Sequence, residues 1–401
     1  MTDPVNAGPP RLVLTDGVPE VVVDERQLIA AGAAIAAGHG PVAVDAERAS
    51  GHRYGNRAYL VQLRRAGAGT WLLDPVACPD LTPVAEGIGD AEWVLHAATQ
   101  DLPCLADVGL RPTRLFDTEL GARLAGLPRV GLGAAVQHYL GFSLAKEHSA
   151  VDWSRRPLPE SWLRYAALDV EVLVQLRDAI DADLYRQGKD QWAREEFDSL
   201  LSFTGPTPRV DPWRRTSGLH KVRRRRGIAV LRELWYARDR IAQRRDVSPG
   251  RVLSDAALVE MAVNPPTSVA ALNGRRELRA AARNHREWFA AIDRAMAIPE
   301  HQLPPLALPG NGPPPPRLWA DRDPQASDRL AKAREELAAF ADEHNLPLEN
   351  VLGPDVLRRL VWTPPSPPND QAIRAQLDAL GARHWQVAIA APIIVKAFAD
   401  A

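Results

Sequence analysis

Short apolar runs separated by turn residues characterise the first half of the chain. Such runs are typical of buried β-strands, and they predict strands at residues 21–23, 42–45, 59–63, 70–73 and 93–95. From Asp117 onward the apolar residues recur at helical spacing. One apolar stripe of this kind is formed by Leu163, Ala166, Ala167, Val170, Leu173 and Leu176. The first region is therefore predicted to be an α/β domain.

The remainder of the chain is predicted to be helical, with one small domain present twice. Positions of the second region recur 99 residues later in the third. The matching pairs are Val252 and Val351, Leu253 and Leu352, Leu258 and Leu357, Met261 and Leu360, Pro265 and Pro364, Pro266 and Pro365, Leu278 and Leu377, and His285 and His384. A repeat at this spacing indicates two copies of a folded unit and not a solenoid.

Proline- and glycine-rich stretches divide these regions at residues 204–212 and 303–316, and another interrupts the last region at 364–368. The stretch at 303–316 contains four consecutive prolines, which predicts a stiff, extended linker. The predicted organisation is an α/β domain in residues 1–208, a helical domain in 209–300, a proline-rich linker in 301–321 and a second helical domain in 322–401.

Charge is unevenly distributed, although the whole chain has a formal net charge of only −1. Residues 209–295 contain 20 Lys/Arg against 9 Asp/Glu, a net charge of +11, whereas residues 325–401 contain 8 against 10, a net charge of −2. Clustered arginine on one domain of a near-neutral chain is typical of a phosphate-binding surface. The predicted nucleic-acid-binding residues here are Lys221, Arg223, Arg224, Arg225 and Arg226, with a solvated basic helix end as the alternative.

Several classes of protein are disfavoured. The two cysteines, Cys78 and Cys104, form neither a metal-binding cluster nor a disulfide framework and fit a reducing cytosol. No apolar run approaches the roughly 20 residues that span a membrane, and the first residues do not resemble a signal peptide. A phosphate-binding G-x-x-x-x-G-K-[ST] motif is absent. We therefore expect a cytoplasmic monomer with no membrane association and no nucleotide cofactor.

Asp45 and Glu47 lie at the end of a predicted strand. Side chains two residues apart on a strand project to the same face, and two adjacent carboxylates repel each other unless a cation lies between them. Mg²⁺ and Mn²⁺ prefer oxygen ligands of this kind. Taken alone, the pair is also compatible with a solvated strand end.

Two further motifs add acids to this pair. Thr99 is a plausible helix N-cap after the strand at 93–95, which places Asp101 in the first helical turn. An acid there is also explained by the helix dipole alone. Tyr165 and Asp169, four residues apart, share one face of a predicted helix. An aromatic residue at the core edge beside an exposed acid is the alternative explanation for this pair.

The three motifs together resemble the DEDD exonuclease superfamily. Tyr165 marks its tyrosine branch, because the histidine branch places histidine five residues before the last acid, where this sequence has Arg164. The segments 95–102, 116–118, 152–158 and 165–170 resemble the ribonuclease D family within that branch, and the first helical repeat resembles an HRDC domain. The resemblance implies a ribonuclease H-like fold, with a mixed central sheet and flanking helices, followed by two all-helical HRDC-type domains.

The same resemblance implies a metal-dependent 3′→5′ exoribonuclease that releases nucleoside 5′-monophosphates. Asp45, Glu47, Asp101 and Asp169 would hold two divalent ions, Mg²⁺ or Mn²⁺, on either side of the scissile phosphate. Tyr165 would orient the attacking water, because a phenol with an ordinary pKa of about 10 is a poor base at neutral pH.

The expected substrate is RNA with a free 3′ end, and the family points to the processing of tRNA precursors or other structured RNA. His96, Lys146 and Trp153 are candidates for contacting it, with a packing role as the alternative for each. Two other functions remain open from the residues: a DNA 3′→5′ exonuclease acting in repair, and a nucleic-acid-binding scaffold without catalysis.

Overall fold

The computed structural model describes residues 8–144, 151–308, 310 and 312–399. The first region is built around six strands: β1 (Val21–Val22), β2 (His39–Arg48), β3 (Ala58–Ala66), β4 (Gly69–Leu73), β5 (Trp93–Leu95) and β6 (Leu115–Asp117). They form one mixed sheet in the order β1-β4-β3-β2-β5-β6. β3 runs antiparallel to β2 and β4, and the other neighbouring strands are parallel.

Helices cover both faces of this sheet. They are α1 (Glu25–Ala37), α2 (Thr82–Ile88), α3 (Leu102–Ala106), α4 (Thr118–Leu124), α5 (Leu132–Leu140), α6 (Glu160–Glu171), α7 (Leu173–Arg186) and α8 (Asp190–Leu201). The first three pack on one face and the other five on the opposite face. Along β2, Val42, Val44 and Ala46 are buried against the first set. Because strand side chains alternate, Asp45 and Glu47 project toward the second set.

The five predicted strands are all present. β2 is longer than predicted and includes Glu47 as well as Asp45. β6 was not predicted, because a strand of three residues that leads directly into α4 shows no alternating pattern of its own. The α/β architecture with a mixed sheet and flanking helices is confirmed.

The rest of the chain is helical, as predicted. The first helical unit contains α9 (Arg225–Arg245), α10 (Pro249–Val252), α11 (Asp255–Val263), α12 (Val269–Asn273), the 3-10 helix Arg276–Asn284 and α13 (His285–Ala297). The second contains α14 (Trp319–Arg322), α15 (Pro324–Glu343), α16 (Leu348–Val351), α17 (Pro354–Trp362), α18 (Asp370–Ala379) and α19 (His384–Ala399). Within the described residues, no helix is both long and apolar enough to cross a membrane.

The internal repeat is visible in the helix positions. α15, α16, α17 and α19 each begin 99 residues after α9, α10, α11 and α13, respectively. The units diverge between the third and last of these helices. There the first unit has α12 followed by a 3-10 helix, and the second has the single helix α18. The repeat is therefore one of structure as well as of sequence.

The first helical unit contacts the α/β domain through the loop that follows β2. The Tyr54 hydroxyl lies 3.1 Å from both carboxylate oxygens of Asp239. Arg251 Nε donates to the Gly51 carbonyl at 3.0 Å, and the Ser248 amide donates to the His52 carbonyl at 3.2 Å. These polar contacts join the C-terminal half of α9 and the segment after it to the loop.

The second helical unit shares a continuous apolar core with the α/β domain. Trp385 stacks on Trp192, with ring centroids 5.1 Å apart, and its Nε1 donates to the buried Glu196 carboxylate at 2.9 Å. Trp319, which was predicted to lie in the linker, is fully buried and packs against Trp362 at 4.9 Å. The second unit therefore begins before residue 322 and is an integral part of the fold.

The Trp385→Ala substitution is expected to destabilise the protein by about 3–5 kcal/mol, the usual cost of truncating a buried tryptophan. The substitution removes both the ring stack and the hydrogen bond that Glu196 accepts. Chemical denaturation followed by circular dichroism measures the effect. Lys396→Ala, at a side chain that is 65% exposed, is the control and should change little. Equal stability of the two variants would show that the second unit is only loosely attached.

Candidate active site

Packing of α6 on the sheet assembles the acidic cluster. α6 contacts β2, β3 and β4, and Ala166 and Ala167 are fully buried beneath it. These small side chains allow the helix to lie close to the strands. As a result, carboxylate oxygens of Asp45, Glu47 and Asp169 lie within 4.8 Å of one another. Three of the four predicted acids therefore form one group.

Buried contacts hold the segment that precedes α6 in place. Arg156 donates to both carboxylate oxygens of Asp74, at 2.6 and 2.7 Å, and to the Tyr59 carbonyl at 2.7 Å. Trp153 is fully buried, and its ring centroid lies 6.5 Å from that of Tyr165. Trp153 therefore packs behind Tyr165 and does not line the substrate path.

Asp101, the fourth predicted acid, lies beside the group and not within it. Its side chain is buried, and its Oδ1 lies 3.3 Å from Arg48 Nη2. Arg48 also donates to the Gln100 carbonyl at 2.6 Å. Arg48 was not predicted as a site residue, although its position directly after Glu47 on β2 indicated that it lies near the acids.

The predicted helix cap at Thr99 is wrong. Thr99 lies within a 3-10 helix, Ala98–Gln100, which is preceded by Ala97 in the left-handed conformation with φ of 62°. Asp101 ends that helix, and its side chain caps neither helix. Asp101 occupies the N-cap position of α3 without a side-chain cap, and it also lies beside Arg48 and the acidic cluster.

Asp117 holds the turn that leads to Asp101. Its carboxylate accepts hydrogen bonds from the amides of Ala97 at 3.0 Å and Ala98 at 2.9 Å. It also accepts from the Glu119 amide at 2.9 Å and so caps α4. One buried side chain thereby couples the end of β6 to the strained turn after β5, a role that the sequence analysis did not assign.

Electrostatic repulsion in the group favours a bound cation. Burial raises the pKa of Asp45, Asp101 and Asp169 above the ordinary range. Burial, followed by the charges of Asp45, Asp169 and Asp101, raises the pKa of Glu47 to about 10. Carboxylates this close carry their full charge only when a positive charge offsets them. A donor set of hard oxygens fits a divalent ion such as Mg²⁺.

A buried amide adjoins the cluster. Gln62 on β3 is paired directly with Asp45 on β2, and side chains of such a pair lie on the same face of the sheet. Gln62 is fully buried, and neither atom of its amide has a hydrogen-bond partner among the described residues. An amide in this position can bond to a water or ligand of the occupied site. The sequence analysis did not identify Gln62.

Tyr165 donates a hydrogen bond to Asp169. Burial and the nearby Asp169 and Glu47 charges raise its pKa above the ordinary value. Its phenol therefore stays protonated at neutral pH.

A cleft of about 550 Å³ opens above the acids. Asp45, His96, Arg129, Tyr165 and Asp169 line it, together with the residues that begin α5. Arg129 is exposed and brings a positive charge to a cleft that is otherwise acidic. The sequence analysis did not identify Arg129, because nothing in its local sequence connects it with the acids.

His96 is neutral and has a defined tautomer. The Thr118 hydroxyl donates to the Leu95 carbonyl at 3.0 Å and lies 2.9 Å from His96 Nδ1. Since the hydroxyl has only one proton, His96 Nδ1 must be the donor in that contact. Burial lowers the pKa of His96 to about 4. Its Nε2 is thus a hydrogen-bond acceptor at neutral pH.

The predicted basic run divides into two groups. Arg225 donates to the Leu303 carbonyl, and Arg226 donates to the carbonyls of Ala295 and Ile298 at 2.9 and 2.5 Å. These two side chains tie the start of α9 to the end of the unit, a structural role that was not predicted. The remaining members, Lys221, Arg223 and Arg224, are exposed. Lys146 lies outside the described residues.

Comparison with protein families matches three segments. Residues 20–185 match the family described as 3'-5' exonuclease, and residues 228–286 match the HRDC domain. Residues 312–398 match the family described as 3' to 5' exonuclease C-terminal domain. The second helical unit thus matches a family of its own, although its helices follow those of the HRDC unit.

Individual proteins resemble most of the chain. Ribonuclease D of a Jannaschia species is 34% identical over 297 residues, which cover 69% of this chain and 74% of that protein. Ribonuclease D of Gluconacetobacter diazotrophicus is 33% identical over 339 residues, or 80% and 81% of the two chains. A solved structure of a protein from Bifidobacterium adolescentis matches with a TM-score of 0.89 and 37% identity, covering 98% and 100%. Escherichia coli RNase D shares the fold, with a TM-score of 0.66 at 23% identity over 90% and 98%.

The mixed sheet and its cluster of acids beside a tyrosine define a 3′→5′ exonuclease that acts on nucleic acid. The similarity to ribonuclease D along most of the chain identifies the family within this class. The chain belongs to the ribonuclease D family and is a 3′→5′ exoribonuclease.

The Glu47→Gln variant is expected to be more stable than the unaltered chain without metal and to lose stabilisation by Mg²⁺. The pKa of Glu47 is about 10 in the folded protein against an ordinary 4.5. Between these values the folded state binds more protons than the unfolded state, so this group makes stability fall as pH rises. Glutamine removes that effect and also removes a ligand whose binding energy would stabilise the folded state.

Thermal unfolding with EDTA or Mg²⁺, from about pH 6 to pH 9, tests this expectation because that window lies between the two pKa values. Glu86→Gln, at an exposed residue of α2, is the control and should behave like the unaltered chain. A Glu47→Gln variant that is less stable in EDTA, or that gains as much from Mg²⁺ as the unaltered chain, would contradict the prediction.

Proposed function

We propose that the chain hydrolyses RNA from a free 3′ end, one nucleotide at a time, and releases nucleoside 5′-monophosphates with the help of two divalent ions, Mg²⁺ or Mn²⁺. The observation that carries this proposal is the group of Asp45, Glu47 and Asp169, whose carboxylates lie within 4.8 Å of one another and of which Asp45 and Asp169 line the cleft with Tyr165. A cleft of about 550 Å³ has room for a terminal nucleotide.

Asp45, Glu47 and Asp169 would hold the ions, with Asp101 completing the set. Divalent ions in such a site stabilise charge on the scissile phosphate and acidify the attacking water. Arg48 holds Asp101 in place through its 3.3 Å contact and partly offsets the rise in the pKa that burial causes. Gln62, paired with Asp45 on the neighbouring strand, would bond to a water or ligand of the occupied site.

Tyr165 would orient the attacking water and not deprotonate it. Its raised pKa keeps the phenol protonated, and its hydroxyl donates to Asp169. The hydroxyl oxygen is therefore left to accept a hydrogen bond from water, which fixes the direction of attack. The buried Trp153 behind the ring limits its movement.

The other lining residues would hold the substrate. Arg129 would contact a backbone phosphate, because a guanidinium binds phosphate oxygens through charge-assisted hydrogen bonds. His96 would accept a hydrogen bond through Nε2 from a hydroxyl of the terminal sugar. Because His96 is neutral, it can accept from a hydroxyl but cannot neutralise a phosphate.

RNA is proposed as the natural substrate, in the form of tRNA precursors or other structured RNA. The relatives that match the chain are named ribonuclease D, and the Escherichia coli RNase D is described as an exoribonuclease involved in structured RNA processing. A DNA exonuclease is the second candidate, since ions held by the acidic cluster would act on the phosphate, which RNA and DNA share. Parallel assays on matched RNA and DNA separate the two.

Asp45→Ala and Asp169→Ala are each expected to abolish release of nucleotides from RNA. Either change removes a ligand from the cluster, which leaves the ions without their full set of donors. The assay follows 5′-labelled RNA with Mg²⁺, with Mn²⁺ and with EDTA, and identifies the released product as 5′-monophosphate. Asp198→Ala, at an exposed acid of α8, is the control and should retain full activity. Undiminished cleavage in EDTA would overturn the metal-dependent mechanism.

Tyr165→Phe is expected to slow turnover by roughly 10²–10⁴-fold, the range observed when a group that positions a proton is removed. Binding of RNA in EDTA should change little, because the ring and its packing remain. Single-turnover kinetics and a binding titration measure the two effects separately. Tyr185→Phe, at a tyrosine that is 75% exposed, serves as the matched control. Cleavage at the unaltered rate by Tyr165→Phe would leave the hydroxyl without a catalytic role.

A further inference from the structure

Four arginines form an exposed face on the first helical unit. The 3-10 helix Arg276–Asn284 has about three residues per turn, and accordingly Leu278, Ala281 and Asn284 are buried at every third position. The other two stripes of the helix face solvent, with Arg276 and Arg279 on one and Glu277 and Arg283 on the adjacent one. The arginine face, as we term it, consists of Arg276, Arg279 and Arg283 of this helix and Arg286 in the first turn of α13, all of them exposed.

The positive charge of the arginine face is only partly balanced. Among the described residues, none of its four members forms an ion pair, whereas the adjacent Arg275 pairs with Glu260 at 3.1 Å. Glu277 is an exposed carboxylate of the same helix, so residues 276–286 carry a net charge of +3, which attracts a polyanion. By contrast, Arg226 of the basic run pairs with Glu300 at 3.1 Å and bonds to backbone carbonyls.

In the second helical unit, one of the corresponding positions packs on the α/β domain. Shifted by 99 residues, the four arginines correspond to Ala375, Asp378, Ala382 and Trp385. Trp385 stacks on Trp192 of the α/β domain and donates to Glu196. The second unit thus packs on the α/β domain through Trp385. The corresponding position of the first unit is Arg286, which is exposed.

The C-terminal end of this 3-10 helix lies at the end of the unit that contacts the loop after β2. α9 has 21 residues, which gives a length of about 30 Å. The basic run, which includes Arg223 and Arg224, lies at the N-terminus of α9. Asp239 and Asp246, which contact Tyr54, lie at and just after its C-terminal half. At that same end Arg245 donates to Asn284, the last residue of the 3-10 helix, at 2.7 Å.

The loop that contains Tyr54 follows β2, the strand that carries Asp45 and Glu47. The end of α9 that adjoins this loop, where Asn284 is bound, lies about 30 Å from the end that carries Arg223 and Arg224. We propose that the arginine face binds backbone phosphates of the RNA upstream of its 3′ end. This inference rests on the proposed function, because it assumes that RNA occupies the cleft.

The test compares Arg279→Ala/Arg283→Ala with Arg223→Ala/Arg224→Ala. Binding of 5′-labelled single-stranded RNA is measured in EDTA, so that cleavage does not interfere, over a range of salt concentrations. The Arg279/Arg283 variant should bind a long strand at least about tenfold more weakly, and its salt slope should fall by about 0.7 for each phosphate that is no longer neutralised. The Arg223/Arg224 variant should keep most of the affinity and slope.

Two further readouts define the role of the arginine face. On a strand of a few nucleotides, which cannot reach the face, the Arg279/Arg283 variant should cleave at the unaltered rate, and on a long strand its KM should rise with kcat unchanged. Arg279→Lys/Arg283→Lys should restore most of the salt slope, because lysine keeps the charge. Circular dichroism should show all the variants folded, since the altered side chains are exposed.

The proposal would be overturned if the Arg279/Arg283 variant kept the full RNA affinity and salt slope while the Arg223/Arg224 variant lost them. That result would place RNA binding at the N-terminus of α9. Failure of the unaltered chain to bind or cleave RNA at all would be a different result. It would overturn the proposed function, and the inference with it.

Discussion

The contact of α6 with the sheet is the interaction on which the site depends. Ala166 and Ala167 let the helix approach β3 and β4, and that approach brings Asp169 to the two acids of β2. The resulting repulsion opposes the folded state, as the raised pKa values of the acids show. Core packing therefore holds together a cluster that a bound cation would stabilise, which is a usual arrangement at functional sites.

Buried polar contacts away from the acids keep this geometry fixed. Arg156 joins the segment before α6 to Asp74 next to β4. The Asp117 carboxylate accepts hydrogen bonds from backbone amides of the turn that precedes Asp101 and of the start of α4. Each contact satisfies groups that would be costly to bury alone. The side chains of the proposed active site consequently project from elements whose positions are set by several strands and helices at once.

One helical fold is used in two ways. In the second unit the face around Trp385 is apolar and joins the core of the α/β domain. In the first unit the corresponding face carries arginines and is exposed, and the unit is attached by polar contacts to the loop after β2. The two units differ most where the first has the 3-10 helix and the second has α18. The second unit has a structural role, and the first has an exposed, positively charged surface.

The sequence alone determined the α/β and helical regions, the repeat and the identity of the acids, because alternation, helical spacing and short motifs are local properties. It identified Asp45, Glu47, Asp101, Tyr165 and Asp169 as one set only through their order along the chain. The roles of Arg48, Gln62, Asp117 and Arg129 needed the tertiary structure, since each acts on residues that are distant in sequence or on another strand or turn. The basic run shows the same limit. Its charge is evident from the sequence, but only the fold shows that Arg225 and Arg226 bond to carbonyls 78 and 69 residues away, respectively. The arginines of the 3-10 helix remain exposed.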